Sequence, residues 1–265
     1  MPSSPKRALR PAPEEACPSA AAAEKLARYN FSDIEDYEML QELGEGAFGV
    51  VAKARHRLTG ETVAVKWIRG AGDGNVTSSH DAVVREGDCL GKCHGHPSIV
   101  QVKDAATDKA SGDLFLIMEF VDGPSLRKWL TSRPVSEHLA REFMGQLLGA
   151  AARPLGKPYP ERRVGTLQYR SPEQAMGIRF YGTAVDMWAL GCVMAELLVG
   201  LNAFDGLVEL SPAGRELLAG LLSVNPGERL TATEALKHRW FTEETEAPAL
   251  AKAEFPGFVP MFAEA

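Results

Sequence analysis

Between Tyr37 and Trp67 the chain carries β-branched and aromatic residues in short runs separated by glycine-rich turns. The pattern predicts strands over Tyr37–Leu43, Val50–His56 and Thr62–Trp67. Gly44–Gly49 joins the first two, and Leu58-Thr59-Gly60-Glu61 joins the next two. A helix is predicted over Ser79–Leu90, then short strands over Ile99–Lys103 and Leu114–Glu119. From there the pattern turns helical, over Ser125–Leu130, Glu137–Ala152, Ala184–Leu198, Ala213–Ser223 and Thr231–Lys237. Thr231 followed by Glu234 three residues later has the form of a reciprocal helix start. Strands first and helices second predict an α+β chain: a small β-rich lobe with one main helix, then a larger, mainly α-helical lobe. The expected division is a largely disordered tail over 1–36, a small lobe over 37–118, a large lobe over 119–241 and a tail over 242–265. The first tail is rich in Ala, Pro and Ser, with a short helix expected over Ala20–Ala27. No internal repeat is present.

Composition narrows the function classes. With 45% hydrophobic and 24% charged residues, the 265-residue chain has the make-up of a soluble globular protein. A net charge of −6 argues against nucleic-acid binding and against a polybasic membrane patch. No apolar run approaches the ~20 residues that span a bilayer, and the N-terminus lacks a secretory signal's apolar stretch. Cys17, Cys89, Cys93 and Cys192 are scattered, as suits a reducing compartment. The expected location is cytoplasmic or nuclear. Cys89, Cys93, His94 and His96 do not have the spacing of the common zinc modules, so no metal site is assigned.

The candidate chemistry begins at the first hairpin. A glycine-rich turn between two strands lets the backbone approach phosphates, and its N–H groups can donate to them. Here Gly44-Glu45-Gly46-Ala47-Phe48-Gly49 is followed by Val50 and Val51. Lys66 lies 17 residues after Gly49, and Glu86 lies 20 after Lys66. A lysine is a compact point charge suited to phosphate oxygens, and a helix-borne glutamate can orient it.

These motifs resemble the eukaryotic Ser/Thr protein kinases, most closely the cyclin-dependent-kinase-like group, over roughly Tyr37–Phe241. The resemblance includes Val63-Ala64-Val65-Lys66, Arg85-Glu86, His96-Pro97-Ser98-Ile99-Val100 and Met118-Glu119-Phe120-Val121. It continues through Gly165-Thr166-Leu167-Gln168-Tyr169-Arg170-Ser171-Pro172-Glu173, Asp186-Met187-Trp188-Ala189-Leu190-Gly191 and Asn225-Pro226-Gly227-Glu228-Arg229-Leu230. It implies a bilobal fold and an ATP site formed by Leu43, Gly44, Glu45, Gly46, Ala47, Phe48, Gly49, Val51, Ala64, Lys66, Glu86, Met118, Glu119 and Val121. Met118 would be the gatekeeper, and the backbones of Glu119 and Val121 would bind adenine. The implied activation segment carries Glu161, Thr166, Arg170 and Glu173, with Glu161 where the group usually has its activating threonine. Arg229 would pair with Glu173, and Asp186 would be a buried structural carboxylate. A cyclin-like partner or a kinase substrate is implied, although Ala82-Val83-Val84-Arg85-Glu86 matches the cyclin-contacting motif only at its end.

The sequence departs from the family at its centre. The resemblance calls for a His-Arg-Asp loop with an Asn, then an Asp-Phe-Gly metal motif. From Phe143 to Val185 there is no Asp, His or Asn. Gly149-Ala150-Ala151-Ala152 runs directly into Arg153-Pro154-Leu155-Gly156-Lys157-Pro158. His56-Arg57-Leu58 lacks the Asp, and Phe204-Asp205-Gly206 has the wrong order and place. A second shortening follows Phe204, where Leu207–Leu222 has the look of a later helix. No catalytic residue is therefore assigned, and the magnesium ligands expected for the family are missing. A proton acceptor is worth about 10²–10⁴-fold and a metal several kcal/mol. From about 1–100 s⁻¹ for a kinase, a loss near 10⁵ leaves roughly 10⁻⁵–10⁻³ s⁻¹. Without its loop, Asp186 is expected to be buried and short of donors, at a typical cost of ~1–3 kcal/mol.

Three readings stand at this point: an ATP-binding, catalytically impaired pseudokinase acting as scaffold or competitor; a non-functional truncated product of a kinase gene; and an active Ser/Thr kinase using unrecognised residues. The last needs an acidic group near Lys66, whereas Asp104, Asp108, Asp113 and Asp122 lie on small-lobe or hinge elements.

Overall fold

The computed structural model describes residues 31–46, 49–68, 76–130, 135–152, 165–178, 181–199 and 210–243. Ala47, Phe48, Glu161, the helix expected over Ala20–Ala27 and the segments 153–164 and 200–209 lie outside them. The chain divides into two compact units. One runs up to Gly95 and includes Val100–Val121; the other holds His96–Ile99 and everything from Asp122.

The first unit is a six-stranded sheet with one long helix, α1 (Val76–Lys92). Its strands are β1 (Ser32–Asp33), β2 (Tyr37–Gly46), β3 (Gly49–His56), β4 (Thr62–Ile68), β5 (Val102–Thr107) and β6 (Leu114–Glu119), in the spatial order β1-β5-β6-β4-β3-β2. All neighbours are antiparallel except β1 with β5. β2 is an edge strand, and its pairing with β3 shifts register between Met39 and Gln41 and between Glu42 and Gly44.

Register decides which side chains share a face. Val51, Lys66 and Leu116 stand opposite one another, as do Lys53, Ala64 and Met118. Side chains two residues apart point the same way, so these six lie on one face. On the other face Ala54, Val63, Val65 and Ile117 bury themselves with Tyr37 and Ala106. On the first face, Val83 of α1 packs into Ile68, Leu114 and Leu116.

Two expectations shift here. The fifth strand begins at Val102 rather than Ile99. Ile99 closes a turn instead, its N–H donating to His96 O at 3.2 Å. Ala105 and Ala106 give no strand signal, but Ala106 is fully buried beneath larger side chains. Residues 32–36, counted with the tail, belong to the fold. Phe31 packs on the α1 side of the sheet and Ile34 on the other. Ser32 Oγ donates to Ala105 O at 3.3 Å, Lys109 pairs with Asp33 at 2.6 Å, and Arg57 Nε donates to Glu35 O at 2.8 Å.

The second unit is helical: α2 (Leu126–Trp129), α3 (Glu137–Ala151), α4 (Pro172–Ala175), α5 (Ala184–Val199), α6 (Pro212–Leu221) and α7 (Ala232–Leu236), with 3₁₀ turns at Leu167–Tyr169 and Arg239–Phe241. Its core joins Leu139, Met144 and Leu148 of α3, Met187, Met194 and Leu197 of α5, Leu217 and Leu221 of α6, and Trp240. The predicted reciprocal cap forms: Glu234 N–H donates to Thr231 Oγ1 at 3.3 Å, and Thr231 N–H donates to Glu234 Oε2 at 2.9 Å.

One carboxylate organises this core. Glu137 Oε2 accepts the Ser211 N–H at 3.0 Å, and Oε1 accepts the Ser211 hydroxyl at 2.5 Å and the Trp240 indole N–H. It thereby links the start of α3, the N-cap of α6 and the last 3₁₀ turn. Burial pushes its pKa up, but those three donors and the Arg141 charge outweigh that and hold it below the ordinary value. Among the described residues, no helix is long and apolar enough to cross a membrane.

Candidate functional site

The first unit gathers most of the sequence-predicted binding residues onto one hairpin, one sheet face and one helix. β2 extends through Gly44, Glu45 and Gly46, and β3 starts at Gly49. Leu43 sits at the second register shift and is exposed. Gly49 is held at φ +139°, and a Cβ there would lie 1.9 Å from Trp67 O, so no other residue fits. Gly44 and Gly46 differ: a Cβ on either would meet nothing within 4 Å. Packing within the protein does not demand these two glycines, and the space beside them is open.

Lys66 Nζ lies 2.5 Å from Glu86 Oε1, with the two side chains 19% and 33% exposed. Gly87, which the sequence reading passed over, explains how α1 comes this close. A Cβ there would stand 3.3 Å from Leu116 Cδ2, tighter than ordinary contact. Glycine costs about 1 kcal/mol against alanine inside a helix, and that penalty was the available signal. A partly exposed pair of this kind is worth about 0.2–1 kcal/mol in stability; its larger effect is to fix where the ammonium stands.

Beside Lys66 the face is apolar. Ala64 and Met118 are buried opposite each other, and Val51 is half-buried. β6 ends at Glu119, which is tied to β5's approach by two bonds. Glu119 N–H donates to Gln101 O at 2.9 Å, and Gln101 N–H donates to Glu119 Oε1 at 3.0 Å. Val121 is exposed.

In the second unit Arg229 and Glu173 form a buried bidentate pair at 2.7 and 3.1 Å. Arg229 also donates to Ala184 O and Ser223 O, at 2.7 and 3.0 Å. Burial raises the Glu173 pKa, but Arg229 overcomes this and holds the carboxyl below its ordinary value. Thr166 is exposed and caps a 3₁₀ turn by position only, and Arg170 Nε donates to Gly165 O at 3.1 Å.

Asp186 departs from expectation. It is solvent-exposed rather than buried, and no hydrogen bond to its carboxylate is found among the described residues. Nearby protein mass still desolvates it enough to raise its pKa. Water can reach the group, so the penalty of a buried, unsatisfied carboxylate does not apply. Among the described residues no cluster of three His, Cys, Asp or Glu side chains stands ready to hold a metal ion.

A sheet carrying a glycine hairpin and a lysine–glutamate pair, joined in sequence to a helical unit, defines a protein-kinase architecture. The family described as "Protein kinase domain" matches residues 37–153 and again 149–241. The chain belongs to the protein kinase family, among relatives of its cyclin-dependent-kinase-like group. It is 34% identical to the protein named "Putative cyclin-dependent kinase F-2" from Oryza sativa subsp. japonica, across 81% of this chain and 92% of that one. It is 28% identical to "Cyclin-dependent kinase G-2" from Oryza sativa subsp. indica, across 79% of this chain. It is 29% identical to "Cyclin-dependent kinase 11.1" from Caenorhabditis elegans, across 85%. The chain spans only 42% and 43% of those last two proteins. The alignment to the first relative has 306 positions, whereas 81% of 265 is about 215 residues. About 90 of its positions therefore face no residue of this chain.

Proposed function

We propose that this protein is a nucleotide-binding pseudokinase: it holds ATP on its small unit and transfers phosphate very slowly or not at all. The observation that carries the reading is the Lys66–Glu86 pair, formed at 2.5 Å beside an open glycine hairpin in a chain with no Asp, His or Asn from Phe143 to Val185. In this reading the main-chain N–H groups around Gly44–Gly46 and the Lys66 ammonium meet the phosphates. Glu86 holds Lys66 in place. Leu43, Val51, Ala64 and Met118 enclose the base, and the Glu119 and Val121 backbones hydrogen-bond to it. Magnesium, when bound, would supply charge neutralisation between phosphates; the motif residues that hold it in the family are not found in this sequence. A protein that grips ATP without turning it over acts as a scaffold or competitor toward a kinase substrate or a cyclin-like partner. We place it in the cytoplasm or nucleus.

The test is a thermal melt of the purified chain with millimolar ATP, with and without magnesium. An upward shift that does not need magnesium supports the reading. A strictly magnesium-dependent shift instead points to an active kinase with ligands not assigned above. A second reading, a truncated product without independent function, draws on the roughly 90 unmatched positions and on the two family matches meeting at 149–153. Absence of any cooperative melt would favour it. So would a transcript that carries the His-Arg-Asp and Asp-Phe-Gly stretch across that junction.

A further inference from the structure

We infer that Lys53 is a positioning residue for the nucleotide, acting through the aromatic ring of Phe120; this rests on reading the small unit as a nucleotide site. Phe120 lies between Glu119 and Val121, the two residues whose main-chain groups are assigned to the base. Lys53 Nζ stands 4.3 Å from the centroid of the Phe120 ring, well inside the ~6 Å over which a ring face attracts a cation. Register places Lys53 opposite Ala64, which is itself opposite Met118. The ammonium thus comes from the same sheet face that carries Lys66.

The residue before Phe120 is tethered independently, by the two bonds between Glu119 and Gln101. Gln101 is fixed in turn, its Oε1 accepting the Gly95 N–H at 2.7 Å. The consecutive residues Glu119 and Phe120 are therefore held from two directions, Glu119 from the approach to β5 and Phe120 from β3. A peptide segment pinned at two neighbouring side chains has little freedom to rotate its N–H and C=O groups away from a ligand, and preorganisation of this kind is what lowers the cost of binding. Lys53 here serves as a prop for the Glu119–Val121 segment, with Lys66 left as the phosphate cation.

The two roles make different demands on the ligand. A prop acts on the base, so its loss weakens adenosine and ATP by the same factor. A phosphate contact weakens ATP alone. Titration calorimetry with both ligands, on chains whose cooperative melting has been checked, separates them. Lys53→Met is expected to weaken adenosine and ATP alike by about two- to fivefold, the equivalent of an exposed cation–π contact. Lys53→Arg, which keeps a cation over the ring, is expected to stay near the unsubstituted affinity. Phe120→Leu should match Lys53→Met, and combining the two should add nothing further. Should Lys53→Met not fold, Phe120→Leu alone decides by the same comparison of ligands. Weakening of ATP but not adenosine, or of neither, overturns the role of Lys53 while leaving the nucleotide site intact. If the unsubstituted chain binds neither ligand, the site itself is refuted, and this role with it.

Discussion

The buried Glu173–Arg229 pair is the residue-scale interaction whose loss should cost most. Arg229→Ala leaves a carboxylate buried without its bidentate donor, and denaturant unfolding should report a loss of about 3–5 kcal/mol. Arg229→Lys keeps the charge but not the fork, and should recover only part of this. Asp186 sets the opposite expectation. It is exposed and gains nothing visible from its charge, so Asp186→Asn should change stability by no more than about 0.5 kcal/mol. A loss of several kcal/mol would mean that unseen donors hold the carboxylate. Acid should act through Glu137 and Glu173, both held below the ordinary value of 4.5 in the fold. A depressed carboxyl favours the folded state while ionised. Its contribution is therefore complete above the unfolded value and fades as pH falls through the folded one. Melting temperature followed from pH 7 downward should hold to about pH 5 and then drop, and Glu137→Gln should flatten part of that drop.

At the scale of elements, the expectations that succeeded rest on local pattern. The first three long strands, Leu114–Glu119, α3, α5 and α7 each carry enough β-branched, periodic or capping residues to declare themselves. What was not legible depends on partners distant in sequence. β1 and the 3₁₀ turn that follows it at Ile34–Asp36 look like tail until Phe31 and Ile34 find opposite faces of one sheet. Val102–Thr107 is a strand because Ala106 fits beneath Tyr37 and Ile117, which no propensity reveals. Exposure of Asp186 depends on what covers α5, and its expected burial came from a family whose catalytic-loop residues are not found between Phe143 and Val185. Of the candidate site, the lysine, glutamate and glycines were legible from spacing alone. Gly87 left a signal as a costly glycine inside a predicted helix, but its contact with Leu116 and the Gln101 tether join residues distant in sequence. Two measurements follow from the unforeseen elements. A chain beginning at Tyr37 should be less stable than one beginning at Phe31 by about 1–3 kcal/mol, since two large apolar side chains lose their partly buried sites. Glu137→Ala, which strands the Ser211 and Trp240 donors, should cost about 2–3 kcal/mol and should lower the protection of Trp240 in hydrogen exchange.

At the scale of the whole molecule, each unit has a hydrophobic core of its own, and the proposed nucleotide-binding residues lie within the first. Scanning calorimetry should therefore resolve two transitions, and ATP should raise the one belonging to the sheet unit. A single transition shifted as a block would show that the units unfold together. The hairpin that bears the site also supplies a record that needs no purified protein. Gly49 tolerates no side chain, because the carbonyl of Trp67 occupies the place of its Cβ. A reading frame that no longer serves its organism accumulates changes at that codon as freely as at any other. One still under selection keeps it fixed while exposed positions such as Leu58 drift, so natural variation at codon 49 measures whether this protein is still in use.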